Sequence, residues 1–197
     1  MSNNDKWFKY YGENTLKRAG FKKGQTVLDF GCGSGNYTIP VAKIIGEQSP
    51  IYAMDKDRME IERLISRANS MGLKNIVNLD ATGKSSIPLD NESVDAVLLY
   101  DVLHHYFYPQ EYERRKLLSE VYRVLKPAGL LSLYPTHLDS YMEPKLADIK
   151  REIEDADFRQ EMEYRDLQMM HDGGMEKGRV INFRKLQFLR GINHQPR

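Results

Sequence analysis

The sequence predicts an α/β fold built on a mostly parallel sheet with helices on both faces. Three observations carry that prediction. Short apolar runs rich in strand-forming residues alternate with helical segments of roughly ten to fifteen residues, the spacing of right-handed crossovers. The first run ends in a glycine-rich turn, Gly31-Cys32-Gly33-Ser34-Gly35, with a helical pattern after it. The last two apolar runs flank a loop of turn residues, so the sheet should close with a hairpin.

Along the chain, Trp7 to Ala19 has apolar residues at helical positions, among them Phe8, Tyr11 and Leu16, and Gly20 supplies a stop. Val27–Phe30 reads as the first strand. Asn36 to Ile45 reads as the next helix, and Pro40 is tolerated near its start because early helical amides lack intrahelical partners. Ile51–Asp55 is a second strand, introduced by Pro50. Ile61, Leu64, Ile65 and Ala68 mark a helix that closes at Gly72.

Asn75–Leu79 and Val94–Tyr100 are the third and fourth strands. Leu117, Leu118, Val121 and Leu125 mark a helix stopping near Pro127-Ala128-Gly129, and Leu130–Tyr134 is the fifth strand. A charged helical stretch from about Glu143 to Asp155 precedes the terminal pair, Tyr164–His171 and Arg179–Phe188, with Asp172 to Gly178 as their loop. With no repeat or linker-like tract, the chain reads as one domain over residues 1–197, with a helical segment before residue 20 placed as a lid on the core.

Composition narrows the function classes. A net charge of +1 without a dense basic block gives no footprint for nucleic acid or an anionic membrane. One cysteine, Cys32, rules out an intrachain disulfide and fits a reducing compartment. No apolar run approaches the ~18–20 residues of a membrane span, and the first residues lack a signal-peptide layout. A cytoplasmic protein is the expectation.

In a parallel sheet, ligands sit beyond the carboxyl ends of the strands. The residues that follow each strand are therefore the candidate site. The glycines fall as G-x-G-x-G, whereas a dinucleotide fingerprint needs its third glycine where this chain has Asn36. Asp29, two residues before the turn, would repel a diphosphate and suit a ligand with an ammonium group. S-adenosylmethionine has that ammonium, an adenosine and no phosphate. Cys32 reads as a small residue packed under the turn rather than a reactive thiol.

Asp55 ends the second strand at the distance from the turn where an acid reaches a ribose, while Asp57 is the better cap for the following helix. Lys56 and Met59 would flank the ribose and adenine, although Met59 serves equally well as core. Asp80, followed by Ala81 and Thr82, suits the exocyclic amine and ring of adenine. The fourth strand ends Tyr100-Asp101-Val102-Leu103-His104-His105. Asp101, His104 and His105 are the candidates for a base, and Tyr100, Asp101 and His105 for contact with the cofactor. Adjacent histidines on a helix point about 100° apart, so one of the two is structural. No second His/Cys/Asp cluster with metal spacing accompanies them, so no metal is expected.

Taken together, these residues resemble the class I S-adenosylmethionine-dependent methyltransferases. Val27–Gly35 is similar to that superfamily's first motif, Ile51–Asp55 to its acidic second, and Asn78-Leu79-Asp80-Ala81 to its adenine-binding third. Val94–His105 resembles the fourth motif of the ubiquinone/menaquinone-biosynthesis-type branch, and Glu120–Gly129 the segment leading into the fifth strand. The resemblance runs from about Gly24 to Leu189. It implies a Rossmann-like three-layer sandwich whose seven-stranded sheet ends in an antiparallel strand. By the same resemblance Gly31, Gly33, Asp55, Asp80 and Ala81 line the cofactor site, with Asp101 or His105 near the methionine end.

The fourth strand lacks the Asn/Asp-Pro-Pro-Tyr signature of nucleic-acid amino methylation, and a lone cysteine argues against arsenite methylation. The expected function is methyl transfer to a small-molecule acceptor, with S-adenosylhomocysteine as product. The rival readings are a nicotinamide-dependent oxidoreductase and a non-catalytic protein that binds the methyl donor.

Overall fold

A computed structural model of the chain describes residues 1–81, 83, 85–138 and 143–187. Thr82, Phe188 and Leu189, named above, lie outside the described residues. The N-terminal helix starts earlier than its apolar pattern suggests. It comprises α1 (Asn3–Lys6), a π-helical turn (Trp7–Tyr11) and α2 (Gly12–Arg18). The Ser2 hydroxyl accepts from the Asp5 amide and the Asp5 carboxylate from the Ser2 amide, a capping box that fixes the start.

The remaining elements are β1 (Val27–Phe30), α3 (Thr38–Ile45), β2 (Ile51–Met54), α4 (Arg58–Ser70), β3 (Ile76–Leu79) and β4 (Val94–Tyr100). Then come α5 (Glu111–Val124), β5 (Leu125–Tyr134), α6 (Leu146–Asp155), β6 (Phe158–His171) and β7 (Gly174–Lys185). The seven strands form one sheet in the order β3-β2-β1-β4-β5-β7-β6. β1 to β5 pair in parallel, and β7 pairs antiparallel with both β5 and β6. The expected sheet, with its antiparallel closing strand, is the one observed.

Strand side chains alternate between two cores, as a period of two requires. Leu28, Val97, Leu99, Leu131 and Leu133 pack with α5 and α6 on one face. Val27, Ala96, Leu98, Tyr100 and Leu130 pack with α2 and α3 on the other. Burial on both faces explains why these strands read as continuous apolar runs.

Several boundaries differ from the sequence reading, and β6 begins at Phe158 where the expected strand began at Tyr164. β5 begins at Leu125, directly after α5, so Pro127-Ala128-Gly129 lies within extended chain and does not end the helix. α6 begins at Leu146, three residues later than expected. The terminal loop is only Asp172-Gly173, both at positive φ, because His171 pairs with Gly174. Two left-handed residues in an Asp-Gly pair make the tight turn whose twist matches an antiparallel hairpin. β7 therefore runs well past the end of β5, and the hairpin tip stands at the carboxyl edge of the parallel strands.

The N-terminal helix is not a separate layer over the core. Trp7 and Leu16 are fully buried in the second core. The Trp7 indole donates to the Asn36 carbonyl (2.6 Å), and the Thr15 hydroxyl to the Gln168 carbonyl (3.0 Å). Large side chains buried this way tie the segment to α3 and β6, whereas a lid needs a weakly packed face.

Candidate functional site

The strand order reverses between β1 and β4, which is where an open α/β sheet forms its ligand crevice. The glycine turn follows β1, and Asp101 follows β4. The turn is anchored on its protein side. The Gly31 and Cys32 amides donate to the Met54 carbonyl (2.8 and 3.2 Å), and Arg67 donates to the Ser34 carbonyl (3.0 Å). Gly33 sits at φ +50° with nothing within 4 Å of where a Cβ would be, so its outer side is open. Gly35, at φ +86°, lies against Leu64 so closely that a Cβ would overlap it. One glycine is required by the backbone and a free cradle, the other by a buried contact.

Asp55 stands beside the cradle. One carboxylate oxygen accepts from the Gly33 amide (2.8 Å) and the other from the Asp57 amide (2.9 Å). Each oxygen keeps further acceptor capacity toward a ligand. Asp57 caps α4 by accepting from the Met59 amide, as the sequence suggests. Met59 is exposed, so its alternative role as core is not realised. The Lys56 ammonium lies 4.7 Å from the Phe107 ring centroid, linking the end of β2 to the loop after β4. Asp80 and Ala81 are exposed beyond β3.

Asp29 lies behind the turn. It is 2 % exposed and accepts a hydrogen bond from the Thr38 hydroxyl (2.6 Å) at the start of α3. Burial pushes its carboxyl up to about 7 against that opposing hydrogen bond, and the Asp55 charge adds to the rise. Cys32 is buried, and burial also pushes its thiol up, so it packs under the turn as an inert side chain. Tyr100 is turned into the second core. Its hydroxyl pairs with Ser132 (2.9 Å) and its ring meets Tyr37, which leaves only its backbone to the crevice.

Past β4, the two histidines divide as their geometry requires. His104 is buried. Its Nδ1 accepts from the Tyr106 amide (3.3 Å), so Nε2 carries the proton and faces the Asp101 carbonyl (3.1 Å) and carboxylate (3.2 Å). With both nitrogens committed, His104 is not a base, and its role is to hold Asp101. His105 is half-buried, and its Nε2 is buried without a hydrogen-bond partner.

Asp101 is the centre of a cluster that the sequence reading missed. Burial raises its pKa, but hydrogen bonds from His104 and Thr136 and the electrostatic influence of the His104 and His171 rings outweigh that, and the carboxyl ends lower than usual. His137, after β5, and His171, at the end of β6, bring Nε2 atoms to 3.7 and 3.8 Å from its carboxylate oxygens. Those two nitrogens are 3.1 Å apart. The expectation of no metal rested on spacing along the chain, and folding gathers these donors from three separate strand ends. The reading of strand ends, applied to β5, would have found His137. The place of His171 depends on the hairpin length, which the misread turn concealed.

Comparisons with known proteins now bear on this crevice. A family described as a methyltransferase domain matches residues 28–133. The ubiquinone/menaquinone biosynthesis C-methyltransferase of Haemophilus ducreyi is 26 % identical over 117 residues, covering 59 % of this chain and 43 % of that protein. The demethylmenaquinone methyltransferase of Geobacillus sp. is 29 % identical over 117 residues, covering 59 % and 47 %. The chain thus spans less than half the length of these relatives. Among solved structures, a SAM-dependent methyltransferase from Aquifex aeolicus superposes with a TM-score of 0.70 at 24 % identity, covering 92 % of this chain and 93 % of that one. That likeness concerns the fold.

Proposed function

This chain belongs to the methyltransferase domain family, and from that premise we propose that it transfers the methyl group of S-adenosylmethionine to a small-molecule acceptor. The observation that carries the reading is the open cradle at Gly33, placed at the strand-order reversal and braced by the Asp55 carboxylate. A turn surface free of side chains beside a carboxylate that keeps acceptor capacity fits an adenosyl ligand with ribose hydroxyls and no phosphate. Gly31, Gly33, Asp55 and Lys56 would hold the donor at its ribose end, with Met59, Asp80 and Ala81 near the adenine. Asp101 and His105 would stand at the methionine end.

Methyl transfer asks the protein mainly to align and desolvate two partners, which accounts for ~7–11 kcal/mol of barrier lowering in favourable cases. A cavity of about 440 Å³ lies beside His137 and His171 at the same edge of the sheet, within the range of small-molecule sites. Its size supports a small acceptor. Where an acceptor must lose a proton, His105 would serve once a local rearrangement exposes its unpartnered, buried Nε2.

The test is thermal unfolding with S-adenosylmethionine, S-adenosylhomocysteine and NADH in parallel, followed by labelled-methyl uptake from a metabolite extract. A ligand at 100 times its dissociation constant adds about 2.7 kcal/mol to the folded state. Stabilisation by both adenosyl ligands and not by NADH is expected. Stabilisation by NADH alone contradicts the proposal.

A further inference from the structure

Asp101, His137 and His171 carry an inference of their own. The two Nε2 atoms lie 3.1 Å apart, that of His137 is 3.7 Å from Asp101 Oδ1 and that of His171 is 3.8 Å from Asp101 Oδ2, and one donor atom from each of the three residues lies within 4.8 Å of the other two. Donors bound at ~2.1 Å to one ion lie about 3.0 Å apart at a right angle and about 3.4 Å apart in a tetrahedron. Closing the set around one ion requires the Asp101 carboxylate to swing a single oxygen toward both nitrogens. Two imidazoles and one carboxylate are the donor set of a borderline transition metal, whereas magnesium and calcium take oxygen.

The surroundings are arranged as the outer layer of such a site. Glu176 Oε1 lies 3.4 Å from His171 Nδ1, which favours the tautomer with a bare Nε2. The Tyr134 hydroxyl donates to the same Glu176 oxygen. Thr136 and His104 both donate to Asp101 Oδ1, leaving Oδ2 turned toward His171. Asp101 and His137 are also held at φ 57°, a left-handed conformation uncommon outside glycine, at the ends of neighbouring strands. Such backbone conformations gather where a fold fixes a functional geometry. All three side chains keep some exposure, 34, 31 and 15 % for Asp101, His137 and His171, so an ion can enter.

We propose that Asp101, His137 and His171 bind one divalent transition-metal ion, whose open positions face the neighbouring cavity. Three protein donors leave coordination positions free, and His137 and His171 line that cavity. The metal site stands on its own geometry.

The test titrates the full chain, stripped of metal by a chelator, with Co²⁺ and follows visible absorption and calorimetry. One ion per chain is expected. His137→Ala and His171→Ala should each weaken it by about 100-fold or more, and His105→Gln should leave it unchanged. S-adenosylhomocysteine binding, measured in the two alanine variants, reports the donor site separately and should persist. No Co²⁺ binding, binding indifferent to either alanine variant, or an equal loss in His105→Gln overturns the assignment.

Discussion

Replacing Asp29 by asparagine should change how stability depends on pH. In the folded chain the buried carboxyl titrates at about 7, against 3.8 for an ordinary aspartate. The folded state therefore binds one proton more than the unfolded chain between those two values. Its contribution to stability is fully present below pH 3.8, declines as pH rises, and is gone above about 7. A window of about three pH units corresponds to about 4 kcal/mol. Asparagine cannot ionise, and its carbonyl can still accept from Thr38.

The assay is urea unfolding of both proteins from pH 4 to 8, followed by the fluorescence of buried Trp7. Groups common to both chains cancel in the difference, including Glu120 and Glu163, whose lowered pKa values act at more acidic pH. The Asp29→Asn variant should gain on wild type by about 4 kcal/mol across the window and then run parallel above it. Parallel curves throughout, or a wild type that gains on the variant as pH rises, would refute a buried, high-pKa Asp29.

Other outcomes follow from the same contacts. Arg114 and Glu152 form a buried two-point ion pair at 2.6 and 2.7 Å between α5 and α6. Arg114→Met should cost about 3–5 kcal/mol by denaturation, because it leaves the Glu152 charge unpaired. Gly33→Ala should cost the fold only about 1–2 kcal/mol of backbone strain while weakening S-adenosylhomocysteine in calorimetry. Gly35→Ala should lose stability through its overlap with Leu64, typically about 1–3 kcal/mol. Trp7→Ala should cost about 3–5 kcal/mol by urea unfolding, and removing residues 1–18 should unfold the chain rather than alter kinetics alone.

The parts of the fold legible in the sequence were those set by local chemistry. Strands β1, β2 and β4 show as apolar runs because both of their faces are buried, and Asp57 shows as a cap because its reach is two residues. The glycine turn showed as a spacing, since all three glycines take a positive φ within one short loop, although Gly35 also answers a contact with distant Leu64. The features that were misread depend on distant partners. The N-terminal helix looked peripheral because nothing local reveals that Trp7 bonds to Asn36. The Asp172-Gly173 turn looked longer because the pairing of His171 with Gly174 is a tertiary fact. That same pairing carries His171 to Asp101, so missing the turn also meant missing the cluster. Tyr100 and His104 had the right address at the end of β4, but their side chains are engaged inside the protein.

The central claim is that the Gly33 cradle binds an adenosyl methyl donor. Titrating S-adenosylhomocysteine into the wild-type chain and into Gly33→Val by calorimetry tests it most directly, since no acceptor is needed. One site per wild-type chain is expected, with loss of that site in a folded variant whose side chain fills the open space beside the turn. Failure of the wild type to bind, or equal affinity in the valine variant, would contradict it.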